Sequence, residues 1–466
     1  MSVALITLDE AYTALEWVIR IGSLIVVPFR RKFTAAAWLL LIFFLPVLGL
    51  VLFVLIGQPK FPQFRIEQYR KIRPFFERVS ASLEGARPSE PSPIAKFAEH
   101  LGYLPATKGN GIDLIDDYDE ALRRLTADID AAQSRVLLLV YIFADDAVAG
   151  EVIAALGRAV ERGIDCKVLL DPVGSAKWVR RTVRMLRAVG VQTREALPWR
   201  WFHRRTRRDM RNHRKLFIID GKIGYAGSQN IVAKDFRPGV VNRELVARCT
   251  GPIVSEMEAI VLGDWFVETG TLPTADVEPP AATANATLQL LPSGPEYPME
   301  GFETLLVWQL HEAKRRAIIV TPYFIPDQDV LGAMRTAVAR GVELDLVLSH
   351  VVDQRIVNLA QRSYYEDLLK AGVRIHLFNH FLLHAKNVSI DGELAILGSS
   401  NVDLRSFQLN EEVSLLILDQ ESVAKLEAVQ RGYIKDSEDV RLESWTKRNK
   451  AVMVAENFAR LVSPLL

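Results

Sequence analysis

The chain is poor in cysteine and has almost no net charge. Its 466 residues include two cysteines, Cys166 and Cys249, and its 57 basic side chains nearly cancel the 56 acidic ones. Both cysteines fall in apolar segments typical of strands, so we expect buried thiols, as in a reducing compartment, rather than a disulfide or a metal site. The balanced charge argues against a general polyanion binder but not against a local basic patch. The length predicts two or more domains.

The N-terminal part lacks charge over long stretches, which predicts a membrane region over residues 1–60. Residues 33–57 contain no charged side chain and are long enough to cross a hydrocarbon core of about 30 Å. Residues 11–29 are also apolar but contain Glu16 and Arg20 on one helical face. They predict a second span with an internal ion pair, or else a helix in the membrane interface. A cleaved signal peptide fits poorly, because the apolar run is too long and no cleavage site follows.

Basic residues on the two sides of the apolar run predict its orientation. Those before it are Arg30, Arg31 and Lys32, and those after it are Lys60, Arg65, Arg70, Lys71 and Arg73. The side richer in basic residues faces the cytoplasm. We therefore expect the remainder of the chain to be cytoplasmic.

Beyond residue 60 one α/β pattern occurs twice, with a period of about 170 residues. Residues 61–109 predict a connector, and the Pro/Ala/Thr-rich residues 272–287 predict a linker between lobes at 110–271 and 288–466. Predicted strands lie at 136–143, 166–170, 317–325 and 342–348, and predicted helices at 148–162, 178–188, 330–339 and 364–371. The sequence therefore predicts two tandem lobes, each a mixed sheet flanked by helices.

Each half contains one pattern of His, Lys and Asp. The first half has His213-x-Lys215-x4-Asp220-Gly221 and the second has His384-x-Lys386-x4-Asp391-Gly392. A small polar tetrad follows each at the same distance and contributes Ser228 and Asn230, or Ser399 and Asn401. Packing alone does not readily produce such a duplicated set. We predict one active site assembled from two related halves.

The Asp-Gly pair that closes each pattern predicts a two-residue hairpin turn. His213 and Lys215 then share one face of a strand, because side chains alternate. In this register His213 faces Ser228 and His384 faces Ser399. A slip of one residue would undo that pairing.

These residue types suit phosphoryl transfer. One histidine can attack phosphorus to give a covalent phospho-histidine, while the other protonates the leaving alkoxide and then deprotonates the incoming alcohol. Lys215, Lys386 and the Ser and Asn donors can hold the non-bridging oxygens. A metal is disfavoured, because a lysine beside each histidine repels cations and no ligand cluster is near. We expect neither a metal nor another cofactor.

Carboxylates are expected to orient the histidines. Glu244 and Glu412 occupy matching places after the histidines of their own halves, although a solvated strand end is the alternative for each. For Asp220 and Asp391, turn formation and hydrogen bonding to backbone outweigh direct chemistry.

The remaining histidines lack a duplicated context and are expected to be structural. One of them, His203, lies in a basic and aromatic stretch comprising Trp199, Arg200, Trp201, Phe202, Arg204, Arg205, Arg207, Arg208 and Arg211. Contact with anionic headgroups at a membrane surface is favoured for this stretch over nucleic acid or a solvated loop.

The paired H-x-K-x4-D patterns resemble those of the phospholipase D superfamily. Longer strings are similar to bacterial cardiolipin synthases: NHRKLFIIDGKIGYAGSQN, TPYFIPD, LLHAKNVSIDGELAILGSSNVDLRSFQLNEE, FARLVSPLL and the apolar AAAWLLLIFFLPVLGLVLFVLIG. The likeness covers essentially the whole chain.

This resemblance implies two phospholipase D-type lobes related by a pseudo-twofold axis, with one metal-free site between them. It implies that phosphatidylglycerol, an anionic phospholipid, forms a phosphatidyl-histidine and that a second one attacks it to give cardiolipin, at the bacterial inner membrane. The implied catalytic set is His213, Lys215, Asp220, His384, Lys386 and Asp391. Phosphate support is implied for Ser228, Asn230, Ser399 and Asn401, and histidine orientation for Glu244 and Glu412. Either histidine can be the nucleophile, with a slight preference for His213.

Three other functions stay open at this point. A phospholipase D hydrolase would use water on the same intermediate. A nucleic-acid phosphodiesterase is disfavoured by the apolar N-terminus and the balanced charge. A membrane scaffold without activity is the last alternative. Oligomeric state is left undetermined.

Overall fold

The structure is a computed structural model that describes residues 8–30, 35–57, 62–198, 210–273, 277–297 and 299–462. The helices are α1 (Leu8–Arg30), α2 (Ala35–Phe44), α3 (Pro46–Ile56), α4 (Gln63–Ser82), α5 (Pro93–Gly102), α6 (Tyr118–Ala131), α7 (Ala147–Glu161), α8 (Val179–Ala188), α9 (Ile253–Thr269), α10 (Gly301–Glu312), α11 (Gln328–Ala339), α12 (Arg355–Arg362), α13 (Tyr365–Ala371), α14 (Leu404–Gln408), α15 (Gln420–Lys435), α16 (Leu442–Trp445) and α17 (Lys450–Val462). A short 3-10 helix covers Glu84–Ala86.

The strands are β1 (Thr107–Ile115), β2 (Arg135–Val140), β3 (Asp165–Leu170), β4 (Gln192–Glu195), β5 (Leu216–Ile219), β6 (Ile223–Gly227), β7 (Asn242–Arg243), β8 (Val246–Thr250), β9 (Ala286–Ser293), β10 (Arg316–Val320), β11 (Phe324–Ile325), β12 (Glu343–Ser349), β13 (Arg374–Phe378), β14 (Leu382–Leu383), β15 (Asn387–Ile390), β16 (Leu394–Gly398), β17 (Val402–Asp403), β18 (Glu412–Ile417) and β19 (Ser437–Asp439).

The two lobes share one mixed sheet, joined where β1 pairs antiparallel with β9. Outward from this junction the first lobe runs β1-β8-β6-β5-β2-β3-β4, and the second runs β9-β18-β16-β15-β10-β12-β13-β19. Within the described sheet, parallel pairing joins β2 to β3 and β3 to β4 in the first lobe. In the second lobe it joins β10 to β12 and β12 to β13. The same order in both halves confirms the predicted pair of tandem α/β lobes.

The predicted strands and helices agree with the observed ones to within a few residues, except where two strands end early. The predicted strand 136–143 stops at Val140, because the next amides leave the sheet: Ile142 N donates to Asn230 Oδ1 at 3.0 Å and Phe143 N to Ser175 Oγ at 3.0 Å. The predicted strand 317–325 is likewise divided between β10 and β11. After these breaks in the strands, Tyr141 and Tyr323 lie in the space between the lobes.

Apolar side chains fill layers on both faces of the sheet. On β2, Leu137 and Leu139 belong to the layer that the two lobes share, while Val136, Leu138 and Val140 belong to the layer under the first lobe's helices. Such two-sided burial explains the continuous apolar runs in the sequence. Cys166 and Cys249 are buried free thiols, as predicted.

The N-terminal segment differs from the sequence prediction. Within α1, Asp9–Phe29 is the one helix in the described residues long and apolar enough to cross a membrane, and its Glu16 and Arg20 form the predicted ion pair at 3.1 Å. The predicted single span over residues 33–57 is wrong where the chain is described. Trp38 of α2 and Phe53 of α3 have ring centroids 5.4 Å apart, whereas one straight helix would separate them by about 22 Å.

Proline explains this break. Pro46 is the first residue of α3, and Leu45 before it leaves helical geometry with ψ 74°. A proline ring restricts the preceding residue and is tolerated in the first turn of a helix. The apolar run therefore forms a short helical hairpin over residues 35–56, followed by Gly57.

The segment 61–109, predicted as a connector, contains α4 and α5 packed against the lobes. Arg65 of α4 is buried and forms ion pairs with Glu268 at 2.5 Å and Glu411 at 3.1 Å. The predicted linker 272–287 has its residues 274–276 outside the described part of the chain, and β9 already begins at its end. The basic and aromatic stretch lies outside the described residues over 199–209.

Candidate active site

The two motif histidines lie where the lobes meet. His213 N donates to the carbonyl of Glu411 at 2.8 Å, and His384 N donates to the carbonyl of Arg243 at 2.8 Å. Each histidine segment is thus hydrogen-bonded to the opposite lobe. Both side chains line one cavity of about 330 Å³, so the duplication builds a single site, as the sequence predicted.

Each histidine is held by a glutamate of the other lobe. His213 Nδ1 lies 2.9 and 3.0 Å from the Glu412 carboxylate oxygens, and His384 Nδ1 lies 2.7 Å from Glu244 Oε1. The sequence matched each glutamate to the histidine of its own half. In the structure each glutamate instead lies beside the histidine of the other half. This arrangement arises because β7, before Glu244, pairs with β14, before His384, and because Asn212, before His213, bridges to Glu411, before Glu412.

This pairing determines which ring nitrogen is available for chemistry. A carboxylate accepts a hydrogen bond, so the shared proton is assigned to Nδ1 of each ring and the lone pair to Nε2. Burial lowers the pKa of His213 and of His384 to about 4, with the glutamates opposing and the neighbouring lysines adding to the effect. Both rings are therefore neutral at neutral pH.

The glutamates stay ionised although they are buried. Burial raises the pKa of Glu412, but His213, Lys215 and Ser399 outweigh it, so that the pKa lies below its usual value. Ser399 Oγ donates to Glu412 at 2.5 Å, with further donors in Ser406 and Asn410. For Glu244, His384, Lys386 and Ser228 likewise outweigh burial.

The two lysines are buried beneath the histidines and differ in their contacts. Lys215 Nζ donates to the His213 carbonyl at 2.5 Å. Lys386 Nζ donates to the His384 carbonyl at 2.6 Å and also lies 3.1 and 3.2 Å from the two nitrogens of the His384 ring. Burial lowers the pKa of Lys215 to about 7 and that of Lys386 to about 8, against the opposing pull of the glutamates. Their charge is therefore poised to respond to an arriving anion.

The predicted hairpin register is wrong by one residue in both lobes. Ile219 pairs with Ile223 and Ile390 pairs with Leu394, so each loop has three residues instead of two. Asp220 and Gly221 both have positive φ, as a type I′ turn requires, but Lys222 is an extra residue before the partner strand begins. The slip takes Ser228 and Ser399 away from the positions predicted opposite the histidines.

The two serines therefore have another role than the predicted one. Ser228 and Ser399 are fully buried, and their hydroxyls exchange hydrogen bonds with the backbone of Leu245 and Val413. The cavity lining does not include them, and they support the glutamates instead of holding phosphate. The two asparagines of the tetrads, Asn230 and Asn401, do line the cavity.

The motif aspartates lie at the opposite end of the hairpin strand from the histidines. Asp220 accepts hydrogen bonds from the amides of residues 133–135 and Asp391 from those of residues 314–316. Neither lines the cavity. Their placement in the catalytic set is not supported by this geometry, whereas the turn-forming interpretation is.

Several residues of the cavity were not predicted from the sequence. Tyr141 and Tyr323 lie beside His213 and His384, with ring centroids 4.7 and 6.2 Å away. Their positions in the matching strings LLLVYIFADD and AIIVTPYFIPD were a usable signal. The remaining lining includes Arg211, Phe236, Arg237, Asn242, Ile325, Gln354, Val357, Asp403, Leu404, Arg405 and Asn410. Arg211 belonged to the basic stretch assigned to membrane contact, but its guanidinium pairs with Asp171 at 3.5 Å.

One group of carboxylates could hold a cation elsewhere in the described residues. Glu303, Asp327 and Asp329 have oxygens within 4.8 Å of one another. None of the three lines the cavity, so they bear no relation to the paired histidines.

Comparison with known proteins relates both lobes to one family. The family model "Cardiolipin synthase, PLD-like domain" matches residues 125–265 and 306–431. Cardiolipin synthase A of Pectobacterium carotovorum is 33% identical over 482 residues, covering 98% of this chain and 99% of the relative. The enzyme of that name from Yersinia pseudotuberculosis is 32% identical over 97% of both chains.

A solved structure also shares the fold. The phosphatidylserine synthase of Haemophilus influenzae superposes with a TM-score of 0.60 at 14% identity, over 81% of this chain and 100% of that one. At this identity the likeness concerns the fold alone. The fold of most of this chain is thus one that a second protein also adopts.

Proposed function

The chain belongs to the cardiolipin synthase family with phospholipase D-like domains, and on this premise we propose that it is a phosphatidyltransferase making cardiolipin from two molecules of phosphatidylglycerol. Glycerol is the other product. The observation that carries the proposal is the pair of histidines in one cavity, each held at Nδ1 by a glutamate of the opposite lobe. This arrangement leaves two Nε2 atoms to act on one phosphodiester.

In the first step, His213 Nε2 attacks the phosphorus of a phosphatidylglycerol. The N–P bond forms as the bond from phosphorus to the glycerol oxygen breaks, and that oxygen takes a proton from the His384 imidazolium. Burial lowers the pKa of His384 to about 4, but a bound phosphodiester anion favours the protonated ring. Lys215 and Lys386 lie outside the cavity lining, each bonded to the carbonyl of its motif histidine, and their charges stabilise the non-bridging oxygens electrostatically.

In the second step, a second phosphatidylglycerol resolves the intermediate. Its terminal hydroxyl gives its proton to His384 Nε2 while its oxygen bonds to phosphorus and the N–P bond breaks. His213 is then neutral and His384 protonated again, so the cycle closes without a cofactor. Asn230 and Asn401 in the lining are suited to donate hydrogen bonds to the phosphate oxygens.

The assignment of His213 as nucleophile rests on a difference between the half-sites. Lys386 lies within 3.2 Å of both nitrogens of the His384 ring, where its charge reduces the availability of the lone pair. The hydrogen bonds of the His213 ring to described residues are both at Nδ1. Among the described residues, His213 Nε2 is therefore the lone pair without such a lysine contact, and we assign it as the attacking atom.

The membrane is the source of both substrates in this proposal. α1 contains an apolar stretch long enough to cross a bilayer, and anionic phospholipids of the bacterial cell membrane supply donor and acceptor. The lobes act from the cytoplasmic side, which the basic residues that follow α1, among them Arg31 and Lys32, support.

Trapping of the intermediate tests the proposal. Purified protein in detergent micelles is incubated with phosphatidylglycerol labelled in the phosphatidyl group, and His213→Ala is compared with His384→Ala. We expect label on the protein in His384→Ala but none in His213→Ala, and cardiolipin plus glycerol from the wild type. Phosphatidate as the sole lipid product would identify a hydrolase instead. Full cardiolipin formation by the double variant would overturn the mechanism.

A further inference from the structure

The acceptor brings a charge that the paired histidines and lysines do not account for. In the proposed function, on which this inference rests, the attacking lipid has its own phosphodiester, three carbons from its reacting hydroxyl. That phosphate remains intact while the donor phosphate occupies the space between the histidines. Two anions in one partly enclosed cavity repel each other. A further cation beside the acceptor phosphate would offset that repulsion.

Arg237 lies where such a cation is needed. It lines the cavity, its side chain is 36% exposed, and it forms an ion pair with the buried Asp353. The hydroxyl of Tyr323 donates to the same carboxylate at 2.6 Å, and the Tyr323 ring is the one beside His384. Arg237 is thus fixed on the His384 side of the cavity.

We propose that Arg237 binds the phosphate of the acceptor lipid while His384 deprotonates the hydroxyl of that lipid. A guanidinium has five N–H donors, so the ion pair with Asp353 orients the group and leaves donors for a second anion. The positive charge of Arg237 already acts on the neighbouring lysine, since it is among the groups that lower the pKa of Lys386. The acceptor therefore approaches phosphorus from the side of the proton-accepting histidine.

The other arginines of the cavity are placed differently. Arg211 is buried and pairs with Asp171. The charge of Arg405 acts on Tyr141, which stands beside His213. Arg211 is therefore held by a buried carboxylate, whereas Arg237 shares a carboxylate with Tyr323 on the His384 side, where the incoming hydroxyl must lie.

The two halves carry their cavity-lining arginine at different positions after the tetrad. Aligning the two small polar tetrads places Arg237 opposite Gln408, which ends α14 and is not part of the cavity lining. The two phosphatidylglycerol molecules are chemically identical, so a symmetric site would not distinguish donor from acceptor. Because Arg405 stands three positions earlier than the counterpart of Arg237, the two sides of the cavity are not equivalent, and Arg237 can be reserved for the acceptor lipid.

Competition between two acceptors tests the inference. Wild type and Arg237→Gln are incubated with phosphatidylglycerol micelles containing ethanol, and the ratio of cardiolipin to phosphatidylethanol is measured. Ethanol lacks a phosphate, so removing a charge-assisted contact to the acceptor phosphate should lower this ratio about tenfold or more. Arg237→Lys should retain most of the wild-type ratio. An unchanged ratio in Arg237→Gln would overturn the inference.

Two further variants separate binding from structural damage. Arg158→Gln is the matched control, since Arg158 is 49% exposed, pairs with Asp130 and lies outside the cavity lining; its ratio should equal that of the wild type. Arg237→Gln with Asp353→Asn removes the carboxylate that the single variant leaves without its arginine. If the ratio stays low in the double variant, binding was lost; recovery to the wild-type ratio would show a structural effect and reject the subsite.

The same assay separates this inference from the proposed function. Wild-type protein that makes phosphatidylethanol but no cardiolipin would reject the lipid acceptor, and with it the subsite. Cardiolipin from the wild type with an unchanged ratio in Arg237→Gln rejects the subsite alone.

Discussion

Glu412 holds the Nδ1 atom of His213 at 2.9 Å, although the two residues are 199 positions apart and belong to different lobes. The reciprocal contact joins Glu244 to His384 at 2.7 Å. Neither lobe therefore contains a complete His–Glu pair of its own. A single lobe could fold around its own helices and still be inactive, because each histidine would lack the group that fixes its tautomer.

The cross-lobe pairs predict different failures for the two glutamates. Glu412→Gln removes the charge that favours a proton on His213 Nδ1, so attack by Nε2 should slow by about 100-fold or more. In Glu244→Gln the nucleophile is intact but the acid/base group is impaired. We expect the labelled phosphatidyl-protein to form slowly in Glu412→Gln and to persist in Glu244→Gln, as followed by rapid quench with labelled phosphatidylglycerol.

Glu258→Gln is a control for loss of a buried glutamate elsewhere, since Glu258 pairs with Arg135 outside the cavity. It should retain both half-reactions in its folded fraction. Equal labelling kinetics in Glu412→Gln and Glu244→Gln would contradict the assignment of His213 as nucleophile.

The lysine pKa values predict how anion binding depends on pH. Lys215 and Lys386 have pKa values lowered to about 7 and about 8, mainly by burial. Each is charged below its pKa and neutral above it, so affinity for an anion should fall as the pH rises past 7. Sulfate suits the measurement as an inhibitor because its own charge is constant in this range. Its inhibition constant should rise by up to about tenfold per pH unit for each lysine that loses its proton.

Lys386→Arg provides the comparison for that experiment. Arginine stays charged throughout the range, so the variant should show a weaker increase of the inhibition constant between pH 7 and 9. A wild-type constant that does not change over this range would contradict the lowered pKa values.

Much of the fold could be predicted because the same α/β pattern occurs twice in the sequence. Parallel strands such as β3 and β12 are buried on both faces over most of their length and contain the apolar runs 168–170 and 346–348, which makes them recognisable without structural information. The repeated spacing of His213 and His384 identified the site for a related reason. A nonlocal duplication of chemically similar residues has no simple origin in local packing.

What could not be predicted depends on contacts that leave little trace in local sequence. Glu244 and Glu412 each pair with the histidine of the opposite half, and this pairing depends on backbone bridges between segments that are distant in the sequence. The extra residue Lys222 in the turn depends on contacts with the start of β2, whose Arg135 carbonyl accepts a hydrogen bond from Asp220 N at 2.8 Å. A two-residue turn satisfies the same Asp-Gly signal, so the sequence alone could not exclude it.

Replacement of the buried Arg65 is expected to cause a large loss of stability. Its guanidinium lies between Glu268 and Glu411, and the exposed fractions of these side chains are 2%, 8% and 1%. Arg65→Ala would leave two buried carboxylates without this partner, which should lower the free energy of unfolding by about 3–5 kcal/mol. Thermal unfolding in detergent micelles measures the effect.

An exposed pair on the same helix provides the control. Arg73 pairs with Glu77 at exposed fractions of 61% and 66%, so Arg73→Ala should cost about 0–1 kcal/mol. Similar losses for the two variants would show that the Arg65 ion pairs contribute little, and would contradict the described packing of α4 against the lobes.

Substitution of Asp220 is expected to lower the stability of the protein without abolishing its catalytic reaction. Its carboxylate accepts hydrogen bonds from three successive amides before β2, and its φ of 55° is one that most residues tolerate poorly. Asp220→Ala loses both advantages and should destabilise the protein by about 2–4 kcal/mol, whereas Asp220→Asn, which tolerates positive φ, should cost less. Cardiolipin formation per folded molecule should survive in Asp220→Asn. If that variant instead unfolds at the wild-type temperature yet no longer forms the phosphatidyl-protein, the aspartate belongs to the reaction after all and the turn-forming role is insufficient.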